Sequence, residues 1–304
     1  MLQIAWYEIN YIFVNNIDQS KLKNIQFEKL RKWNSKKKNT LKINKSHNNK
    51  FFKNKFPNNR IKAPSNQNFF LWGKHALEAA IKNENRKLIK IYHTNEMYDW
   101  LNEKLKIFNR SSEKLIETEK KYLDDYSVST PNQGIMAEVE PLSWLSLENY
   151  VEKNNNKMCF VLLDQLTNSQ NIGSILRTAS AFNVDGVVLT KNNTPVENGL
   201  MARAAAGAIE TMPLIRVTNL SRSIEYLKKN DFFVIGLEKY GKENISDCAG
   251  NPQTALVLGS ENFGLRRLTK EKLSTSAKIP IAVQTESLNV SNAAAIALYV
   301  IQKD

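Results

Sequence analysis

The sequence has 304 residues, 42% of them hydrophobic, which is enough material for one large or two modest domains with their own cores. Its two cysteines, Cys159 and Cys248, lie outside any Cys-x-x-Cys or Cys/His spacing, and no apolar run reaches about 18 residues, so we predict no disulfide framework, zinc site or membrane-spanning helix. The formal net charge of +13 lies almost wholly in residues 1–66, which hold 15 Lys and Arg against three acidic residues, and the other 238 residues are close to neutral.

Residues 1–66 form a Lys/Asn-rich extension whose low hydrophobicity and one-signed charge favour disorder. Two interpretations stay open: an arm that contacts a polyanion, or a solvated tail that reflects biased composition. The first 14 residues are apolar and aromatic, but Glu8 interrupts them and no positive segment precedes them. We therefore expect neither a secretion signal nor organellar import, and predict a cytoplasmic protein.

Residues 67–142 read as a small α/β domain. Apolar residues at helical spacing predict a helix in the segment WGKHALEAAIKN, and alternation predicts a strand in LIKIYHT. A further helical stretch, EMYDWLNEKLKIF, precedes a second strand in QGIMAEVEPL, where Ile135, Ala137 and Val139 share one face. Residues 143–157 are interpreted as a linker with a polar end.

From residue 158 onward, short apolar runs alternate with helical segments. The run MCFVLLD predicts a strand buried on both faces, and further strands are predicted at 186–190, 213–217, 232–238, 254–260 and 277–283. Strands that alternate with helices indicate an α/β domain over residues 158–304 with a largely parallel sheet. In such sheets ligands bind outside the carboxyl ends of the strands.

Three polar clusters follow predicted strands. In the first, Asn171 is placed to cap a helix, Gly173 removes a side chain from its first turn, and Arg177 projects from it. Taken alone, this cluster favours a capped helix with a solvated arginine over a functional site. In the second, Gly259 and Gly264 bracket Ser260 and Glu261 after a buried strand. This segment is not a phosphate-binding loop, and no G-x-G-x-x-G dinucleotide fingerprint occurs in the domain.

The third cluster opens the last helix with four polar residues, Ser287, Asn289, Ser291 and Asn292, followed by three alanines. Helix capping explains one or two of these polar groups but not four. Small residues at this spacing also let a ligand or another backbone approach closely. This cluster favours a functional site.

Taken together, the three clusters resemble the motifs of the SpoU/TrmH family of SPOUT methyltransferases. The first resembles the family's N-x-G-x-x-x-R, the second its G-x-E-x-x-G and the third its S-L-N-V-S. The likeness spans residues 67–304 and is strongest to the 23S ribosomal RNA guanosine 2′-O-methyltransferases, and residues 67–142 resemble the L30e-like RNA-binding domain of that subgroup. Asn168 and Ser169 depart from the family's usual Asp-Pro, which puts the geometry of the first loop in question, and Asn292 and Ala295 stand where Val and Gly are frequent.

The resemblance implies a C-terminal trefoil knot, S-adenosyl-L-methionine as cofactor, no metal, RNA as substrate and a homodimer with the active sites at its interface. It also implies catalytic roles in which Arg177 orients the ribose 2′-OH and neutralises its developing charge, with Asn171, Glu261, Ser287 and Asn289 around it. The implied cofactor-binding residues are Leu258, Gly259, Ser260, Gly264, Ile279, Leu288 and Ser291. Two alternatives remain: a transfer RNA methyltransferase of the same family, and a non-catalytic RNA-binding ribosome-assembly factor.

Overall fold

Two β-sheets organise the part of the chain that the computed structural model describes, which comprises residues 61, 63–64, 67–110, 114–127, 130–154, 157–261 and 263–302. The predicted basic extension therefore lies almost entirely outside the described residues. Residues 59–304 form one compact unit. No helix in the described ranges is both long and apolar enough to cross a membrane.

The first sheet has four strands in the order β1-β4-β2-β3, with β4 antiparallel to both β1 and β2. Its strands are β1 (Phe69–Trp72), β2 (Leu88–His93), β3 (Leu115–Glu117) and β4 (Ile135–Val139). Three helices accompany it: α1 (Lys74–Lys82), α2 (Tyr98–Ile107) and α3 (Lys120–Asp124). The predicted helix in α1 is confirmed, since the residues at helical spacing are its buried ones. Strands β1 and β3 and helix α3 were not predicted, because each is short and shows no clear periodicity.

The second sheet has seven strands in the order β7-β6-β5-β10-β8-β11-β9, and every neighbouring pair is parallel. Its strands are β5 (Cys159–Asp164), β6 (Gly186–Thr190), β7 (Leu214–Val217), β8 (Phe233–Leu237), β9 (Glu243–Asn244), β10 (Thr254–Gly259) and β11 (Thr275–Lys278). The helices are α4 (Leu147–Lys153), α5 (Ser169–Ala181), α6 (Gly199–Ala205), α7 (Leu220–Lys229), α8 (Arg267–Lys270) and α9 (Val290–Ile301). The predicted parallel sheet is confirmed.

Both faces of the interior strand β5 are buried, as its unbroken apolar run predicted. Cys159, Val161 and Leu163 point into a core that also contains residues of α5 and α9. Phe160 and Leu162 point into a second core, which contains residues of α4 and α7. Because successive side chains of a strand alternate between its faces, one apolar run supplies both cores.

Two predicted segments differ from the structure. The predicted strand at 277–283 ends at Lys278, since Pro280 has no N–H for a sheet hydrogen bond, and the apolar residues Ile279 and Ile281 instead line a cleft. The predicted linker at 143–157 contains helix α4, which buries Leu147 and Val151 four residues apart. Their spacing was a helix signal, but the polar residues around them masked it.

A buried cluster of charges joins the two sheets. Arg86, between α1 and β2, is fully buried, and its guanidinium lies 2.9 Å from both Glu197 Oε2 and Glu210 Oε1. It also donates a hydrogen bond of 2.7 Å to the carbonyl of Glu140, and Glu197 Oε1 accepts one from the backbone N–H of Leu142. Burial raises the pKa of Glu197. Paired and hydrogen-bonded in this way, the charges tolerate burial and fix the first sheet against α6.

Candidate active site

The first polar cluster lies where β5 leads into α5. Asn168 caps this helix, because its Oδ1 accepts hydrogen bonds from the backbone N–H groups of Gln170 at 2.9 Å and Asn171 at 3.2 Å. The prediction that Asn171 is the cap is therefore wrong. Both asparagines suit the role by residue type, and local sequence does not separate them. Asn168 accepts these bonds as an aspartate would, so the helix start is retained without the charge.

Gly173 and Arg177 occupy different surroundings on α5. A Cβ at Gly173 would lie 2.3 Å from the carbonyl oxygen of Met201, so this glycine allows α5 and α6 to pack closely. Arg177 is exposed and has no hydrogen bond or ion pair with any other residue that the structure describes. It lies six residues beyond Asn171 and therefore on a different side of the helix.

The second cluster is a tight turn after β10. Two hydrogen bonds close it, from Ser260 N–H to the Gly264 carbonyl at 3.1 Å and from Gly264 N–H to the Ser260 carbonyl at 2.8 Å. Gly264 has a φ of 65°, in the left-handed region, and a Cβ at Gly259 would lie 2.2 Å from the Gly264 carbonyl carbon. Both glycines are thus required by the turn itself.

An ion pair anchors this turn to the neighbouring strand. Asp164, the fully buried last residue of β5, accepts from Arg266 Nε at 2.6 Å and from Arg266 N–H at 3.0 Å. Sequence reasoning missed this pair, because its members are 102 residues apart. It fixes the position of the Glu261 turn relative to the start of α5.

The third cluster is the start of α9. Asn289 caps this helix, and its Oδ1 accepts hydrogen bonds from Ser291 N–H at 2.8 Å and Ser291 Oγ at 2.6 Å. The side-chain nitrogen of Asn289 takes no part in the cap and faces the other two clusters. Ser291, predicted as a cofactor residue, supports the cap instead and does not line the neighbouring cleft.

One side chain from each of the three polar clusters takes part in a shared set of hydrogen bonds. Asn171 Nδ2 donates a hydrogen bond to Glu261 Oε1. Asn289 Nδ2 lies 3.3 Å from Asn171 Oδ1 and 3.4 Å from Glu261 Oε1. The carboxylate thus gathers amide groups from two helix starts. We call these three residues the Asn–Glu–Asn cluster.

A cleft of about 620 Å³ opens on one side of the cluster. Six of the seven predicted cofactor residues line it: Leu258, Gly259, Ser260, Gly264, Ile279 and Leu288. Glu261, Ser287 and Asn289 also lie in its walls, and Lys239, Tyr240 and Lys270 line it although they were not predicted. Residues 238–240 follow β8 directly and so lie at the carboxyl edge of a parallel sheet, where ligands bind. This position could have predicted part of the cleft wall from the sequence.

A smaller cleft of about 270 Å³ lies on the other side of the cluster. The two clefts share Ser260 and Glu261, while Asn171 lines the smaller one. Arg177 lines neither. Within one chain, the structure therefore brings together four of the five predicted catalytic residues and leaves Arg177 apart.

The remaining candidates for metal or thiol chemistry lie away from the clefts. Burial raises the pKa of the Cys159 thiol to about 12 and that of Cys248 to about 11, with Glu243 adding to the second shift. Both thiols are buried and protonated at neutral pH, which makes them poor nucleophiles. No group of three or more His, Cys, Asp or Glu among the described residues is arranged to hold a metal ion.

Comparison with known proteins agrees with this architecture. Residues 158–299 match the SpoU rRNA Methylase family, and residues 70–145 match the RNA 2′-O ribose methyltransferase substrate binding family. The putative TrmH family tRNA/rRNA methyltransferase YacO of Bacillus subtilis is 33% identical over 239 residues, which cover 77% of this chain and 95% of that protein. A putative TrmH family tRNA/rRNA methyltransferase of Staphylococcus epidermidis is 34% identical over 231 residues, covering 75% and 92%.

Solved structures share the fold. The SpoU methyltransferase AviRb from Streptomyces viridochromogenes, in complex with the cofactor AdoMet, has a TM-score of 0.67 at 20% identity, with 78% of this chain and 90% of that chain covered. An AdoMet-bound rRNA methyltransferase from Sinorhizobium meliloti has a TM-score of 0.64 at 20% identity, with 78% and 87% covered. The chain belongs to the SpoU/TrmH family of RNA methyltransferases.

Proposed function

We propose that this protein transfers a methyl group from S-adenosylmethionine to the ribose 2′-OH of an RNA, and that the target is a guanosine of large-subunit (23S) ribosomal RNA. The observation that carries the proposal is the position of the Asn–Glu–Asn cluster between two clefts. A methyl transferase needs a donor site and an acceptor site that meet at one point. The shared wall of Ser260 and Glu261 provides such a point.

The larger cleft has the character of a site for S-adenosylmethionine. Its volume lies within the range of small-molecule sites, and Leu258, Ile279 and Leu288 give it apolar walls suited to an adenine ring. A side chain at Gly259 would collide with the turn, so the backbone itself forms the floor. The bound cofactor supplies an electrophilic methyl group that needs positioning rather than activation.

On the acceptor side, the chain must orient a ribose hydroxyl and assist the loss of its proton. A neutral hydroxyl is a weak nucleophile, so in-line alignment and charge stabilisation carry the catalysis. The Asn171 amide, held by Glu261, can hydrogen-bond the ribose. An arginine is a poor proton acceptor because its guanidinium group stays protonated in proteins. We therefore assign Arg177 to orienting the hydroxyl and stabilising the developing negative charge.

The placement of Arg177 supports a site completed by a second chain. Arg177 is exposed and lines neither cleft, and Glu261 and Asn289 are also exposed in the single chain. We propose a homodimer in which the partner's Arg177 reaches this chain's Asn–Glu–Asn cluster. The predicted trefoil knot, which would bring residues 279–289 against the turn after β10, is part of the same proposal.

The first sheet and its helices support an RNA substrate, since residues 70–145 match an RNA 2′-O ribose methyltransferase substrate-binding family. The choice of ribosomal over transfer RNA rests on the resemblance of this region to the L30e-like domain of the ribosomal RNA enzymes. The relatives' names leave both RNA classes open. The guanosine and the large ribosomal subunit come from the sequence resemblance alone.

The test is methyl transfer from labelled S-adenosylmethionine to ribosomal RNA and to transfer RNA, with wild-type protein and Arg177→Ala. We expect ribose methylation of ribosomal RNA by the wild type. We expect Arg177→Ala to bind the cofactor with unchanged affinity but to transfer no methyl group. Wild-type activity in Arg177→Ala would contradict the assigned role, transfer RNA labelling alone would favour the other substrate class, and no transfer to either would favour a binding protein.

A further inference from the structure

Phe263 is more exposed than any other aromatic side chain that the structure describes. Its relative exposure is 89%, although burying a phenylalanine side chain is worth about 1.5–3 kcal/mol. Phe263 lines the smaller cleft, two residues after Glu261. An apolar ring displayed at the rim of a polar cleft, beside the residues proposed to act on RNA, indicates a ligand with an apolar face.

The turn that carries Phe263 fixes the backbone position of this residue. The two hydrogen bonds between Ser260 and Gly264 close the turn, and Phe263 N–H donates to Ser260 Oγ at 3.3 Å. The Asp164–Arg266 ion pair then fixes the turn to β5. The ring is therefore presented by a braced turn, which limits the entropy lost when a ligand stacks on it.

The other walls of the smaller cleft are polar. Gln165, Thr167 and Asn193 line it, and their side chains form no hydrogen bond within the described ranges. Gln165 and Asn193 also have φ values of 59° and 60°, a backbone region that glutamine adopts rarely. Side-chain amides of this type pair with the donor and acceptor groups on base edges.

We infer that the smaller cleft binds one unstacked nucleobase of the RNA, with Phe263 stacked on the face of the base and the amides of Gln165 and Asn193 at its edge. This inference rests on the proposed function, to which it adds the base-recognition site. An unpaired base stacked on an aromatic ring is the usual way in which proteins hold single-stranded RNA. The shared Glu261 wall then places the attached ribose next to the larger cleft.

Three substitutions distinguish aromatic stacking on a base from simple burial of apolar surface: Phe263→Trp, Phe263→Leu and Phe263→Ala. Loss of one base–aromatic stack weakens binding by about 5- to 150-fold. We expect the leucine and alanine variants to lose that much kcat/KM for RNA, with S-adenosylmethionine affinity and melting temperature unchanged. Phe263→Trp keeps activity, and a short guanosine-containing single-stranded RNA quenches the fluorescence that the new indole contributes. Leu268→Ala, which truncates a half-exposed leucine on α8 outside both clefts, is the matched control and keeps wild-type kinetics.

Wild-type kcat/KM in Phe263→Leu would overturn the inference, because a leucine covers apolar surface but does not stack. A change of oligomeric state in Phe263→Ala would also overturn it and would assign the ring to a subunit interface. The two proposals fail separately. If RNA quenches the fluorescence of Phe263→Trp but the wild type transfers no methyl group, the base-binding site is retained and the proposed activity is rejected. If the wild type transfers methyl groups and none of the three variants changes that rate, the activity is retained and the base-binding site is rejected.

Discussion

Asn289 Nδ2 lies 3.3 Å from Asn171 Oδ1, although 118 residues separate the two positions in the chain. The same amide group lies 3.4 Å from Glu261 Oε1. Asn171 lies in the first turn of α5, Asn289 is the N-cap of α9, and Glu261 belongs to the turn between β10 and α8. The contact therefore reports directly on whether the three sequence motifs form one site.

Asn289→Asp tests this contact with a nearly isosteric change. The aspartate still caps α9, but it places a second carboxylate beside Glu261 and removes an amide donor. A hydrogen bond to a charged group is worth about 1.5–3 kcal/mol, so we expect kcat to fall by about 10- to 150-fold while the melting temperature changes little. Asn292→Asp, an exposed position in the same helix, makes the same charge change outside both clefts and is expected to keep full activity. Equal kinetics of the two variants would show that the cluster has no role in catalysis.

Mixed dimers test whether Arg177 acts across the subunit interface. Arg177→Ala and Asn289→Asp damage the two halves of the proposed composite site, so the Arg177→Ala homodimer is expected to be inactive and the Asn289→Asp homodimer to keep about a tenth of the wild-type rate or less. When the two variants are unfolded together and refolded at equal concentrations, half of the dimers are mixed and each mixed dimer holds one intact site. Methyl transfer should recover to about a quarter of the wild-type rate. No recovery, in a mixture shown by mass spectrometry to contain mixed dimers, would place Arg177 and the cluster in the same chain's site.

Gly259→Ala tests the floor of the larger cleft. A Cβ there would lie 2.2 Å from the Gly264 carbonyl carbon and 2.4 Å from Leu265 N, and neither backbone atom can move without opening the turn. We expect the dissociation constant for S-adenosylmethionine, measured by calorimetry, to rise at least about tenfold. Gly250→Ala is the control, since its φ of 82° makes alanine strained but nothing lies within 4 Å. If both variants weaken cofactor binding equally, general destabilisation rather than the cleft floor is responsible.

Arg86→Met tests the charge cluster between the two sheets. The change leaves Glu197 and Glu210 buried without their counter-charge, which costs about 3–5 kcal/mol of unfolding free energy at neutral pH. Burial already raises the pKa of Glu197, and losing the arginine raises it further. A carboxyl group whose pKa is raised by folding destabilises the folded protein only where it is ionised in the unfolded chain. The loss of unfolding free energy in Arg86→Met should therefore shrink as the pH falls toward the unfolded pKa of about 4.

Urea unfolding of Arg86→Met at neutral and at mildly acidic pH measures this deficit. Arg267→Met removes an exposed partner of Glu271 and should cost about 0–1 kcal/mol at either pH. A loss of that small size in Arg86→Met would mean that the buried cluster contributes little to joining the sheets.

The sequence was sufficient for the parallel sheet because most of its strands are apolar runs, such as β5, that only a doubly covered sheet buries. It also located the three polar clusters, since they follow strands. It did not distinguish Asn168 from Asn171 as the cap, because the choice depends on where the backbone leaves β5. The apolar segment after β11 was interpreted as strand, although its side chains face a cleft.

Long-range pairs carried no local signal. Arg86 meets Glu197 and Glu210 across 111 and 124 residues, and Asp164 meets Arg266 across 102. Their partners are set by the tertiary fold, and no periodicity or capping rule refers to them. The position of Arg177 outside both clefts likewise became visible only in three dimensions, and it supports the proposal that a second subunit completes the site.

The most direct test of the central claim is a map of ribose 2′-O-methylation in ribosomal RNA from cells with and without this gene. Our proposal predicts one modified guanosine in the large-subunit RNA that disappears with the gene and returns when wild-type protein, but not Arg177→Ala, is supplied. An unchanged methylation map in both ribosomal and transfer RNA would contradict the claim that this chain is an RNA 2′-O-methyltransferase.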